Sequence, residues 1–234
     1  MIFDALEPRR KKVALVGFST STRDETPFDD QSWEIWSMNQ NYRFIPRLTR
    51  WWEMHRDFLV DEVPGTDYAG WLRACPVPVY MIERRPEIPQ SVEYPLQTII
   101  EDVGDYFCST ISYMLGLAIS EGFEAISLYG IDMVTDAEYG YQKGSAEYLL
   151  GVARGRGIQL VLPGRCPLLK APTRYGYTPN GSPAMAKALW DNRELMLQKK
   201  EELLKELYQV DGAQQATEHW MEYVKQLSRG ATPG

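Results

Sequence analysis

Gly17, Ser19, Thr20 and Ser21 follow directly on the apolar run 12–16, and a glycine with hydroxyls after such a run is suited to binding phosphate. Glycine lets a ligand approach the backbone, while hydroxyls and backbone N–H groups hold phosphate oxygens. Asn39 and Gln40 close a second run, 33–39, and an Asn amide reads both donor and acceptor edges of a base or ribose. Ser109 and Thr110 stand where helical spacing begins, and a helix start offers unsatisfied N–H groups and a favourable dipole to an anion. Gly130 and Asp132 end a further apolar stretch. His55 ends the run 50–55, and a histidine titrating near neutral pH is the natural base for an acceptor hydroxyl. Asp132 is a second candidate, as base or as partner of a ribose hydroxyl. The plainer alternatives are an edge histidine bonded to backbone and an aspartate capping a turn. Tyr139, Tyr141 and Gln142 could stack on and hydrogen-bond a base or sugar, or simply pack on the sheet. His219 reads as structural.

These residues need strand ends to converge. Strands are expected over 12–18, 33–39, 50–55 and 77–82, with Pro78 marking an edge position in the fourth. Helical spacing then sets in from Ser109, with Ile111, Met114, Leu115, Ala118 and Ile119 on one stripe and Gly122 as its stop. The nearly continuous apolar run 125–131 suits a strand covered on both faces, as in a parallel sheet. A helix over 145–154 and a strand over 158–163 complete a strand, helix, strand, helix, strand order, which argues for a parallel α/β sheet with helices on both faces. In such sheets ligands bind beyond the carboxyl ends of the strands, where the candidate residues above fall. Residues 1–170 form the nucleotide-binding and catalytic domain in this reading. The Pro-, Gly- and Tyr-rich stretch 171–182 is a linker or lid. Residues 183–234 are expected to form a helical hairpin broken at Gly212, with Leu189, Met196 and Leu203 spaced seven apart beside Trp190, Leu197 and Leu204. Such stripes need a partner, either the sheet domain or a second subunit, so a homodimer through these helices is one expectation.

Composition narrows the classes. Hydrophobic residues are 44% and charged residues 24%, ordinary for a globular chain. No apolar run approaches the roughly 20 residues that span a bilayer, and the opening residues lack the apolar stretch of a secretory signal, so a cytoplasmic location is expected. Cys75, Cys108 and Cys166 are odd in number and widely spaced, which supports neither a disulfide framework nor a zinc knuckle. With two histidines and no HExxH pattern, a zinc hydrolase is not expected. The first loop has neither the GxGxxG fingerprint nor the P-loop pattern, which turns the reading away from NAD oxidoreductases and P-loop kinases. A net charge of −7 opposes a broad nucleic-acid clamp. Two basic clusters, residues 9–12 and Arg43, Arg47, Arg50 and Arg56, still allow a local positive face.

The segment 108–133, CSTISYMLGLAISEGFEAISLYGIDM, resembles the central helix and strand of a bacterial sialyltransferase family with a Rossmann-like fold. There a Ser/Thr pair opens the helix, YM follows, and the strand ends in GID. Gly17 to Ser21, Asn39-Gln40 and residues 163–169 match further elements in the same order, so the resemblance spans residues 12–170. It implies a nucleotide-sugar donor site lined by Gly17, Ser19, Asn39, Ser109, Thr110 and Gly130, with Glu138 and Tyr139 near its phosphate end and no metal. Phe18 and Thr20 stand where the family has Asn and Pro. Where the family carries its general-base histidine, this chain has residues 141–145, YQKGS. The chain is also similar to bacteriophage-borne proteins that share a GFSxST loop, an RWxExH strand and a GIDM…EY…Q segment. That likeness implies an acceptor hydroxyl on a modified DNA base, with Arg50 and Arg56 holding the substrate backbone. Alternatives are another nucleotide-using transferase of a pterin pyrophosphokinase-like kind, or a nucleotide-binding module without catalysis.

Overall fold

The computed structural model describes residues 12–57, 65–133, 137–171, 174, 177 and 183–230. Seven strands form one sheet in the order β5-β4-β3-β2-β1-β6-β7, and every pairing is parallel. They are β1 (Lys12–Val16), β2 (Trp33–Met38), β3 (Arg50–Glu53), β4 (Val79–Met81), β5 (Ser91–Glu93), β6 (Ala125–Tyr129) and β7 (Gln159–Val161). The first five are laid down outward from β1, and β6 and β7 then fill the other side. The order therefore reverses between β1 and β6, where Val16 lies opposite Tyr129.

Alternation along each strand divides the core into two layers. Val13, Leu15, Trp36, Trp52, Ile126 and Leu128 face one layer with α2 (Leu96–Val103), α3 (Thr110–Ser120) and α4 (Ala137–Gly155). Ala14, Val16, Ile35, Trp51 and Val79 face the other with α1 (Tyr68–Ala74). Trp36, Trp52 and Tyr80 stack in series across β2, β3 and β4, with centroids 4.6 and 4.7 Å apart. A fully buried aromatic of this size contributes about 1.5–3 kcal/mol by leaving water, so this ladder ties β2, β3 and β4 together.

The strong features of α3 are at its ends. Ser109 and Ser112 form a reciprocal capping box. At the other end Gly122 has φ 73° and its N–H donates to Ile119 O, while Phe123 N–H donates to Ala118 O. That is a left-handed glycine stop with both bonds made. It returns the chain at once to β6, the strand beside β1.

Two corrections concern helices. Residues 183–230 form one continuous helix, α5 (Pro183–Gly230), rather than a hairpin. A helix-interior glycine costs about 1 kcal/mol against alanine, which is too little to impose a turn at Gly212 with no proline near it. The chain divides into two compact units, Met1–Lys170 and Ala171–Gly234. Most of the expected linker or lid, 171–182, lies outside the described residues. The second correction is that α4 starts at Ala137, so 138 and 139 lie in its first turn. Their side chains lie outside the described residues. Among the described residues no helix is long and apolar enough to cross a membrane.

Candidate functional site

A cleft of about 840 Å³ opens at the β1/β6 reversal. Its floor is the near-contact of two glycines. Gly17 N–H donates to Tyr129 O at 2.8 Å, and Ser19 N–H donates to Gly130 O at 2.9 Å. A Cβ on Gly17 would stand 2.5 Å from Gly130 O, and one on Gly130 would stand 2.7 Å from Ser19 O and 2.8 Å from Gly17 O. Gly130 also has φ +63°. Only glycine lets the two strand ends meet this closely. Gly130→Ala is therefore expected to destabilise the fold by about 2–3 kcal/mol, from left-handed strain plus overlap with fixed backbone. Urea unfolding checks it, with Gly151→Ala as the control, because nothing lies within 4 Å of a Cβ there.

The loop after β1 is tied to the loop after β6 by side chains as well. Both Asp132 carboxylate oxygens accept hydroxyls, Oδ2 from Ser19 at 2.5 Å and Oδ1 from Ser21 at 2.8 Å. Thr22 Oγ1 accepts from Gly130 N–H at 2.8 Å. Asp132 thus organises the first loop, a role neither base nor turn cap describes. Asn41, fully buried, donates through Nδ2 to Gly17 O and to Ser37 Oγ, both at 2.9 Å, and so fixes the end of β1 from β2's side. The sequence reading took Asn39 and Gln40 as the candidates here and missed it. Asn39 has φ 51°, a left-handed value that Asn tolerates better than most residues. Its Oδ1 is buried and without a hydrogen-bond partner among the described residues, on a residue that lines the cleft.

The start of α3 forms the facing wall, where Ser109, Thr110 and Ile111 line the cleft. The first N–H groups of a helix have no intrahelical acceptor, and the dipole there favours negative charge. Ser109 also caps its helix, accepting from Ser112 N–H at 3.3 Å. An apolar wall of Met38, Met54, Phe107 and Tyr113 was not anticipated. Phe107 and Tyr113 stack with centroids 5.1 Å apart. Burial, and then neighbouring Asp105 and Cys108, push the Tyr113 phenol up.

His55 stands on the rim, its side chain half exposed, with Nδ1 2.7 Å from Oε1 of the buried Glu53. The cleft thus gathers Gly17, Ser19, Asn39, His55, Ser109, Thr110, Gly130, Asp132 and Gln142. Thr20 is exposed and outside the lining, as is Tyr141, 64% exposed. Arg56 is exposed beside His55 in a small groove with Glu83 and Arg85.

Arg50 requires a correction. It begins β3, at the far end of the strand from the cleft, and is 7% exposed. Its guanidinium pairs with Glu34 at 3.0 Å and Glu121 at 2.6 Å and lies over Trp36 at 4.6 Å. It cannot reach a substrate in the cleft. Arg47 is likewise turned to main-chain carbonyls of Pro27, Phe28, Asp30 and Trp33. The four arginines near His55 in sequence therefore form no common basic face. Residues 9–11 of the other cluster lie outside the described residues.

The architecture is that of a doubly wound parallel α/β protein with its cleft at the topological switch point, where such sheets take their ligands. No family model and no curated protein matches the sequence. The chain is similar to the sialyltransferase CstII from Campylobacter jejuni in complex with CMP-3FNeuAc, at 16% identity over 67% of this chain and 80% of that one, with a TM-score of 0.46. It is also similar to an apo α-2,3-sialyltransferase from Campylobacter jejuni, at 12% identity, 82% and 96% coverage and a TM-score of 0.45. A third likeness is to the monofunctional α-2,3-sialyltransferase Cst-I from that organism, at 10% identity, 83% and 97% coverage and a TM-score of 0.44.

Proposed function

We propose that this protein is a glycosyltransferase that moves a sugar from a nucleotide-sugar donor to an acceptor hydroxyl. The observation that carries the reading is the switch-point cleft itself, where close-set glycine backbone, a helix start and a histidine face one space. The donor phosphate lies against the first turn of α3 and the Gly17 and Gly130 backbone. The unpaired Asn39 carbonyl accepts from the base or ribose. The acceptor oxygen attacks the anomeric carbon as the bond to the nucleotide phosphate breaks. His55 takes the acceptor's proton, and the N–H groups of α3 stabilise charge on the departing phosphate. The resemblance to the sialyltransferase family supports the donor class. Asp132, with both oxygens engaged, holds the loop.

Incubating the protein with a panel of nucleotide sugars and recording which free nucleotide is released tests the reading. Release of none with any acceptor would leave a binding module. Saccharides, hydroxymethylated DNA and ordinary DNA belong among the acceptors. A modified base in DNA has support from the likeness to bacteriophage-borne proteins and none from the arginines, so label entering a saccharide and neither DNA would move the acceptor there.

A homodimer through α5 belongs to the same proposal. Leu189, Met196, Leu203 and Val210 recur every seven residues and are 52–63% exposed, with Leu197 and Leu204 beside Met196 and Leu203. A seven-residue apolar repeat is the pattern of a supercoiled helix pair. The full chain is expected to have twice its 26.9 kDa mass by light scattering, and a chain ending at Lys170 the mass of one copy. A monomeric full chain would remove the dimer.

A further inference from the structure

We infer that Glu53 is the positioning residue for His55, holding its imidazole with the proton on Nδ1 so that Nε2 takes the proton from the acceptor. This rests on the transferase reading and deepens it at the residue that acts as base. Glu53 is the last residue of β3 and is 1% exposed. Its Oε1 accepts from the His55 backbone N–H at 3.1 Å and lies 2.7 Å from Nδ1. Its Oε2 accepts from the Tyr68 hydroxyl at 2.8 Å, and that hydroxyl accepts from Trp51 Nε1 at 3.0 Å. The carboxylate is therefore braced by β3 and α1 together, with the ring on its outer oxygen.

A buried carboxylate is costly even when hydrogen-bonded, and this one sits where its charge reaches the cleft rim. A carboxylate on Nδ1 selects the Nδ1–H tautomer and stabilises the imidazolium that forms when Nε2 is protonated. Burial first, and then the Glu53 charge, push the Tyr68 phenol well above its ordinary range, so it remains a donor to Glu53. Among the described residues, the other charged groups lining the same spaces as the ring are Arg56, Glu83 and Arg85 along the groove and Asp132 in the cleft. Glu83 and Arg85 pair with each other at 3.0 Å, and Asp132 is engaged by Ser19 and Ser21. Glu53 touches the ring and favours its protonation.

Nitrogen-15 NMR of the imidazoles reads this directly, because the chain has two histidines and the His55 signals are those lost in His55→Ala. The wild-type ring is expected as the Nδ1–H tautomer. In Glu53→Gln it should titrate at a pH lower by about one unit, as loss of an adjacent opposite charge requires. The same variant should lower kcat by about 10- to 100-fold with donor KM unchanged, short of the loss for removing a base outright because Gln keeps an acceptor. A wild-type ring in the Nε2–H tautomer would overturn the inference, as would an unmoved titration in Glu53→Gln. If that variant does not fold, the wild-type tautomer decides. Failure of the wild type to transfer from any donor would count against the transferase reading, while tautomer and titration would still decide whether Glu53 positions His55.

Discussion

His55→Ala is expected to lower kcat for sugar transfer by about 100- to 10,000-fold, the usual effect of removing a general base, while the Kd for the donor nucleotide stays unchanged. The separation follows from where the groups stand. The proposed donor contacts come from the β1/β6 turn, Asn39 and the start of α3, while His55 reaches the cleft from the end of β3. Half its side chain is exposed, so its loss leaves no buried gap. Single-turnover kinetics and calorimetry with the released nucleotide check the two halves separately. Near-wild-type turnover would take the role from His55. Parallel losses in kcat and nucleotide affinity would place the donor against this rim.

The second large effect is on stability. Arg50→Leu is expected to destabilise the fold by about 3–5 kcal/mol, the usual result of removing one partner from a buried ion pair, without changing the nucleotide Kd. Glu34 and Glu121 would remain buried with no cation between them, and Glu121 Oε2 already lacks a partner among the described residues. In the wild type burial pushes the Glu121 carboxyl up, against the pull of Arg50. In the variant nothing opposes that push. A carboxyl whose pKa is higher folded than unfolded binds its proton more tightly in the folded state. Stability is then greatest below the unfolded value, 4.5, and falls as pH rises through the folded one. The deficit against wild type should therefore be smaller near pH 4.5 than near neutrality. Urea unfolding at both pH values measures it. An Arg50 variant of unchanged stability that loses substrate affinity would return Arg50 to the substrate.

The central sheet was legible because its strands are dense apolar runs that end in glycine or polar residues. Ser109 and Gly122 announced α3 from both sides. The strand β5 and the helices α1 and α2 escaped for physical reasons: β5 is three residues long, and α1 is seven residues with a glycine inside. In α2 only Ile99 and Val103 are buried, at one i,i+4 step. Most of the cleft's polar residues were legible because strand ends converge in a parallel sheet. Its apolar wall was not, since Phe107 and Tyr113 meet only after α3 has docked. Arg50 misled through proximity in sequence to His55, although the length of β3 separates them. Glu53 carried a readable signal, since residues two apart on a strand share a face. Its burial was the part only packing could supply.

The placement of β1 also bears on how this chain is made. On one side β1 pairs with β2, which follows closely in sequence, and on the other with β6. That second pairing joins segments more than 100 residues apart, and at about 5–20 residues per second of synthesis the wait is on the order of 10 s. Over the last part of that interval, about 2–7 s for residues 94–129 at the same rate, a chain already folded through β5 presents β1 as an open edge, with unpaired N–H and C=O groups flanked by Val13, Leu15 and Val16. An unpaired apolar edge is a template for another strand. Misassembly of the nascent chain should therefore concentrate in this window and respond to chaperones acting before residue 129 emerges. Expression yield should depend more on translation speed between 94 and 129 than on speed anywhere after it.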